Sequence, residues 1–128
     1  MKRADVARMR PLERKALLEE IAAMVASGEL KLGEAARVLR SAVLGMDRQT
    51  FAQVVKLSPR AIAHLEDDAA ANPTLETLTR VFAPFGGRPG LIFPGMEEAA
   101  PPDEERRKRR QSILGALASS KRARRAGG

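Results

Sequence analysis

The sequence predicts an all-α fold, and two observations carry that prediction. Apolar residues recur at helical spacing through most of the chain, whereas only one short run near residue 92 is typical of a strand. Helix-capping residues precede several of these periodic stretches, and glycines follow them. The 128 residues suffice for one small domain with tails.

Composition excludes several kinds of site. The chain has no cysteine, which excludes disulfides, thiolate metal sites and cysteine nucleophiles. It has one histidine and no glycine-rich phosphate loop, so we expect a protein that is not an enzyme and that uses no cofactor. No apolar run approaches the roughly 20 residues that span a bilayer, and the N-terminal stretch lacks a signal-peptide core. We therefore expect a cytoplasmic protein without a membrane partner.

Two helices are expected in the first third of the chain. The first runs from about Pro11 to Ala26, with apolar and charged residues on opposite sides, and Ser27-Gly28 ends it. Its apolar face must be covered by the rest of the chain or by a second subunit, and both alternatives stay open. The second runs from about Leu32 to Leu44.

Residues 47–67 (DRQTFAQVVKLSPRAIAHLED) predict two short helices separated by a tight turn. Asp47 can cap the first helix and Ser58 the second, which has Pro59 at its first position. The turn around residues 55–57 is too short for much besides a sharp helix crossing. Such a unit is a helix-turn-helix, whose second helix commonly enters the DNA major groove.

The remaining core helix is expected after Asn72-Pro73-Thr74, and Gly86-Gly87 ends it. Leu91-Ile92-Phe93 follows as a short apolar run bracketed by Gly and Pro. This run is either a strand of minimal length or a loop that tucks Ile92 and Phe93 into the core. The sequence leaves the two interpretations open.

The run from Gly33 to Phe85 resembles the Cro/phage-repressor-like (Xre) helix-turn-helix family. The resemblance lies in the spacing of its motif points, which are Phe51-Ala52, Ser58, Ile62, Leu65-Glu66 and Asn72-Pro73-x-Leu75. It implies a repressor-like helix-turn-helix bundle, to which this chain adds an N-terminal helix. Two residues depart from the family: Arg48 stands where Gln is common, and Lys56 holds a turn position usually given to Gly. Lys56 is therefore expected to adopt a positive φ at some cost.

The chain divides into an N-terminal amphipathic helix (1–31), the Xre-type domain (32–95), and an acidic, Pro-containing linker with a basic tail (96–128). Net charge is +7, and the tail holds nine of the 23 basic residues. These are Arg106, Arg107, Lys108, Arg109, Arg110, Lys121, Arg122, Arg124 and Arg125. We expect the tail to be disordered alone and to add auxiliary phosphate binding on DNA. A docking segment for a protein partner, or a merely solubilising tail, are the alternatives.

The resemblance implies that seven residues contact DNA: Arg48, Gln49, Ser58, Pro59, Arg60, Ala63 and His64. Arg60 is the main base-reading candidate, because a guanidinium can pair bidentately with guanine. Arg48 is expected to hold phosphate, which positions the protein without specifying a sequence. Arg37 and Arg40 are expected to be ordinary solvated helix charges. The consecutive acids of residues 66–68 are poorly spaced for metal ligation, so no metal site is expected.

We therefore expect a sequence-specific, DNA-binding transcriptional regulator of the Xre type, acting as a repressor at the nucleoid. Its partner is double-stranded DNA, which it should bind as a homodimer on an inverted repeat with half-sites roughly 34 Å apart. Two alternatives remain: an antitoxin that neutralises a partner toxin, and a non-specific nucleoid-type binder. Some repressor-like antitoxins pair a short strand with its twin across a dimer, and the resemblance admits this for residues 91–93.

Overall fold

The structure, a computed structural model, describes residues 10–93 and 102–127 of the chain. These residues form six α-helices and no strand, which confirms the all-α prediction. The helices are α1 (Pro11–Ala26), α2 (Leu32–Val38), α3 (Arg48–Val55), α4 (Pro59–Asp67), α5 (Leu75–Phe82) and α6 (Glu104–Gly127). A π-helical turn over Leu39–Val43 extends α2, and a 3-10 turn over Ala83–Phe85 extends α5.

Side-chain caps start the three short helices in the middle of the chain. Asp47 and Ser58 each accept a hydrogen bond from the backbone N–H three residues on, at 2.7 and 3.0 Å, as the sequence predicts. Thr74 caps α5 in the same way at 3.1 Å. Each cap satisfies a backbone donor that the helix itself leaves unpaired, and so it fixes where the helix begins.

The chain reverses between α3 and α4 over only three residues. Lys56, the first of them, has the left-handed backbone conformation expected of it, with φ 59° and ψ 45°. A side chain in this conformation costs about 1 kcal/mol. The guanidinium of Arg80 donates to the Lys56 carbonyl at 2.9 Å, which helps to hold the turn.

Two hydrophobic clusters share the second helix. The first lies between α1, α2 and α6 and includes Leu17, Met24, Val38, Ile113 and Leu117. The second joins α2 to α3, α4 and α5 and includes Ala36, Phe51, Val55, Ile62 and Val81. Much of the apolar side of α1 is thus covered by its own chain, whereas Leu18 and Val25 are only partly buried and line an open groove, so a second subunit stays open as the cover for that part.

Gly33 permits the close approach of α2 to α4. A Cβ atom at this position would lie 2.0 Å from the carbonyl oxygen of Leu65, far inside van der Waals contact. Because the obstacle is backbone, no side-chain rotation could relieve the clash. The distance between these two helices therefore depends on glycine at this position.

The prediction of a disordered C-terminal tail is wrong for residues 104–127, which form α6. Ile113, Ala116 and Leu117 recur at helical spacing and are buried against α1 and α2. Gly115 lowers the helix propensity of this stretch, but it lies on the exposed side, where an added Cβ would meet nothing within 4 Å. Packing of an apolar stripe stabilises this helix more than its intrinsic propensity does.

A buried carboxylate on α1 also anchors α6. The Glu20 side chain is only 2% exposed, and it accepts hydrogen bonds from Arg106 at 2.8 Å and from Arg110 at 2.9 Å. Arg110 also donates to the half-exposed Glu29 at 2.6 Å. Burial raises the pKa of the Glu20 carboxyl, but hydrogen bonds and charges from the two arginines outweigh it. The pKa of Glu20 therefore lies below its ordinary 4.5.

In the single chain, Leu91–Phe93 is neither a strand nor part of the core. All three side chains are exposed, so the single chain shows neither of the two interpretations that the sequence left open, a strand or a loop tucked into the core. The two hydrophobic clusters are already closed by α5 and its 3-10 turn, which include Phe82 and Phe85 at their edges.

We expect Glu20→Gln to lower the free energy of unfolding by about 2–3 kcal/mol at neutral pH, because two arginines would lose their buried partner. A carboxylate with a depressed pKa stabilises the fold above its unfolded-state pKa, and this contribution is lost as pH falls through the folded-state pKa. The difference between the wild type and the variant should therefore shrink in acid. Denaturant titrations over a pH series measure it.

The matched control is Glu29→Gln, which removes a half-exposed partner of the same Arg110. It should cost less than about 1 kcal/mol, as surface ion pairs generally do. Equal losses for the two variants, or a Glu20→Gln loss that does not change with pH, would contradict the role assigned to the buried carboxylate.

Candidate nucleic-acid interface

Helices α3 and α4, with the three residues between them, form one compact unit. α3 has eight residues and α4 has nine. Their inner faces meet at Phe51, Val55, Ile62 and Leu65, all buried in the second cluster. Because the turn is short and both inner faces are buried, the outer face of α4 is fixed relative to α3.

Five of the seven predicted contact residues lie exposed on this unit: Gln49 on α3, Ser58 at the cap of α4, and Pro59, Arg60 and His64 on α4. The Arg60 guanidinium has no ion pair among the described residues. His64 Nδ1 lies 3.6 Å from the carboxylate of Asp68, one turn further along α4.

Two of the predicted contacts are less available. Ser58 is exposed, but its hydroxyl already caps α4. Ala63 is half-buried and offers only a methyl group. The exposed surface of α4 therefore offers few polar side chains, and Arg60 is its main hydrogen-bond donor.

Glu66 is the centre of a buried ion-pair network. This network contradicts the expectation that the arginines of α2 and its π-helical extension are solvated. The Glu66 side chain is 0% exposed, and it accepts hydrogen bonds from Arg40 at 2.7 and 2.9 Å. Arg37 lies 3.6 Å from the same carboxylate and also pairs with Asp67. Arg37 and Arg40 were expected in solvent, yet both are buried. Their burial is tolerated because Glu66 and Asp67 neutralise the two guanidinium charges.

Arg48 belongs to this network, although it was expected to hold phosphate. Its guanidinium donates to Glu66 at 3.2 Å and to Asp67 at 2.7 Å. Burial lowers the pKa of Arg48, but the hydrogen bonds and charges of these two acids outweigh it and raise the pKa. Arg48 thus ties the start of α3 to the end of α4, and its Nε and Nη2 donors are already engaged.

Charge pairing separates the basic residues of the α2–α5 region into two groups. Six lysines and arginines lie between residues 32 and 80, all of them described. Arg37, Arg40, Arg48 and Arg80 are in ion pairs with acids of the same chain. Lys56 and Arg60 have no such partner, and both are exposed on the α3–α4 unit. The sequence singles out Lys56 only for its expected φ, and the structure adds that its ammonium group is an exposed cation without an acidic partner.

The basic residues of the C-terminal region are similarly divided. Arg106 and Arg110 point at Glu20, so they are not free for phosphate. Lys108 and Arg109 lie 3.9 and 3.6 Å from acids one turn before them on α6. Arg107 is exposed without an ion pair among the described residues. For the residues predicted further along, Lys121, Arg122, Arg124 and Arg125, the structure describes the helical backbone but not the side chains.

No protein-family model, curated protein or solved structure matches the chain. Within residues 10–93 and 102–127, His, Asp and Glu side chains nowhere gather in threes as a metal site would require. Over the same part of the chain, no helix has both the length and the apolar character needed to cross a bilayer.

We expect Arg48→Ala to lower the free energy of unfolding by about 1–2 kcal/mol, because Glu66 would lose one charged donor while keeping Arg40. Arg60→Ala is the matched control, since it removes an exposed arginine one helix away. It should change stability by less than about 0.5 kcal/mol. Chemical denaturation of both variants without DNA measures this, and an Arg60→Ala loss as large as that of Arg48→Ala would contradict the division into paired and free arginines.

Proposed function

We propose that the chain is a sequence-specific DNA-binding transcriptional regulator of the repressor-like helix-turn-helix type. In this proposal α4 is the recognition helix and enters the major groove. The observation that carries it is the pair of exposed cations without acidic partners, Lys56 and Arg60, on the turn and at the start of α4.

The geometry of the α3–α4 unit supports this assignment. Two short helices joined by a three-residue turn, with a buried inner face, are the arrangement by which one helix is held against DNA. The N-terminal half of α4 carries no acid, since its first carboxylate is Glu66, which is turned inward. Arg60 and the positive end of the helix dipole therefore lie together at the start of α4, where both would attract a phosphate group.

Each residue takes a role that its surroundings permit. Arg60 would pair with guanine, and Lys56 would contact phosphate at the turn. His64 and Gln49 would supply further hydrogen bonds at the edges of this contact. Arg48 acts indirectly by fixing α3 on α4.

A single α4 offers too few polar side chains to define a long site. We therefore propose a homodimer that places two α4 helices on the half-sites of an inverted repeat. Bound across a promoter, such a dimer would act as a repressor. Four cations of α6 are assigned a smaller part, because Arg106 and Arg110 hold the fold together and Lys108 and Arg109 are paired on the surface.

The experiment is a selection of bound sequences from random duplex DNA at physiological salt, made with the wild type, Arg60→Ala and Arg107→Ala. We expect the wild type to enrich an inverted repeat. Arg60→Ala should lose about 1–3 kcal/mol of binding to that site and relax the preference at one position of each half-site. Arg107→Ala, an exposed α6 arginine without an ion pair, is the control and should weaken all sequences slightly and alike.

Two results would contradict the proposal. Absence of any enriched motif would favour a non-specific binder, in keeping with the small side chains of Ala61 and Ala63 on α4. Equal effects of the two substitutions would place the contact outside the α3–α4 unit. Truncation of the tail is a poorer test, because removing α6 would expose the cluster that buries Ile113.

A further inference from the structure

An apolar groove of about 740 Å³ opens on the side of the fold formed by α1, α2, α5 and the segment after α5. Its walls include Leu18 and Val25 of α1, Leu32 of α2, and Leu75 and Phe82 of α5. No residue of α3 or α4 lines it. The groove is therefore separate from the proposed DNA interface.

Residues 88–92 line one edge of this groove, and Phe93 follows them in the same segment. No backbone hydrogen bond joins this segment to the rest of the described chain, the last one before it being Gly87 N–H to the Phe82 carbonyl at 3.0 Å. Its backbone donors and acceptors are thus free for water or for a partner. Leu91 is the most exposed large apolar side chain of the described residues, at 91%.

The exposed apolar area around the groove is large for a small domain. Five side chains contribute most of it, with exposed fractions of 91% at Leu91, 71% at Leu75, 63% at Phe93, 51% at Ile92 and 39% at Leu32. Together they amount to about three complete side chains, on the order of 500 Å². This lies at the upper end for the largest patch of a monomer, roughly 300–600 Å², and patches of that size mark interaction surfaces.

We propose that a second copy of the chain occupies this groove, with the Leu91–Phe93 segment of each copy seated in the groove of the other. The proposal deepens the homodimer of the proposed function by naming its surface, and in that sense it rests on it. The same face carries a protruding apolar segment beside an apolar depression. Such a face can pair with its own copy across a two-fold axis, because the segment of each copy then meets the groove of the other copy.

The area favours a second copy over other occupants. Two copies would cover roughly 1,000 Å² from these five side chains alone, which reaches the lower limit for a specific interface. A small apolar ligand would be enclosed on most sides, whereas Leu91 and Leu75 stand out into solvent. Arg88 is the charged residue of the lining, and it is exposed at the rim, so the interface would bury no unpaired charge.

The test is sedimentation equilibrium without DNA at micromolar concentrations, on the wild type, Leu91→Glu, Leu75→Lys and the control Leu12→Glu. Leu12 is 80% exposed on α1 and does not line the groove, so it matches Leu91 in type and exposure. We expect the wild type to sediment at twice the chain mass of 13.9 kDa. Each groove variant should raise the dissociation constant at least about tenfold, and Leu12→Glu should leave it unchanged.

Mixing Leu91→Glu with Leu75→Lys gives a sharper reading. In the mixed dimer one segment–groove contact keeps Leu91 on the segment and Leu75 in the groove, and the other sets a glutamate on the segment against a lysine in the groove. Association of the mixture should therefore be stronger than that of either variant alone. All three substituted positions are exposed, so unchanged circular dichroism would establish that loss of association is not loss of the fold.

A monomeric wild type would overturn the inference and leave the groove to a different partner. Equal effects of Leu91→Glu and Leu12→Glu would also overturn it, as would a mixture no stronger than its components. Because DNA is absent, these outcomes are independent of the selection experiment. A dimer without an enriched DNA motif would end only the proposed function, and an enriched motif with a monomer would end only this interface.

Discussion

The fully buried carboxylate of Glu66 lies where three helices meet, and the placement of the α3–α4 unit depends on it. Arg40 reaches it from α2, and Arg48 reaches it from α3, while Glu66 itself belongs to α4. A buried carboxylate is costly unless it is paired and hydrogen-bonded, so any shift of one helix would strand a charge. This constraint acts together with Gly33, which permits the α2–α4 contact at backbone distance.

The same kind of buried ion pairing holds α6 against α1. Glu20 on α1 holds Arg106 and Arg110 of α6, as Glu66 holds the arginines of α2 and α3. Both carboxylates are buried, and both take two or more arginines as partners. Five of the 23 basic residues, Arg37, Arg40, Arg48, Arg106 and Arg110, are thus engaged by these two carboxylates. What remains exposed and unpaired on the α3–α4 unit is Lys56 and Arg60, and the proposed DNA contact follows from that remainder.

Local signals in the sequence predicted the helix boundaries well. The caps at Asp47 and Ser58, and the left-handed turn at Lys56, are each determined by residues within three or four positions, so the sequence alone could give them. The π-helical turn after Val38 has no such local signal and was not anticipated.

Long-range pairing could not be predicted in the same way. Arg40 and Glu66 are 26 positions apart, and Arg106 and Glu20 are 86 apart, so no periodicity connects them. An arginine-rich stretch in isolation indicates a solvated or DNA-binding segment, and only the fold reveals that acids on other helices take up its charge. The exposure of Leu91 likewise depends on how α5 closes the core, and the sequence left it as an alternative between strand and buried loop.

The central claim is that the free cations of the α3–α4 unit, and not the paired ones, make the DNA interface. Amide NMR chemical shifts of the protein during titration with a short DNA duplex test it most directly. The account predicts the largest changes in residues 56–64, with small changes along residues 104–120 of α6. Binding that moves the α6 amides most and leaves residues 56–64 unchanged would contradict it.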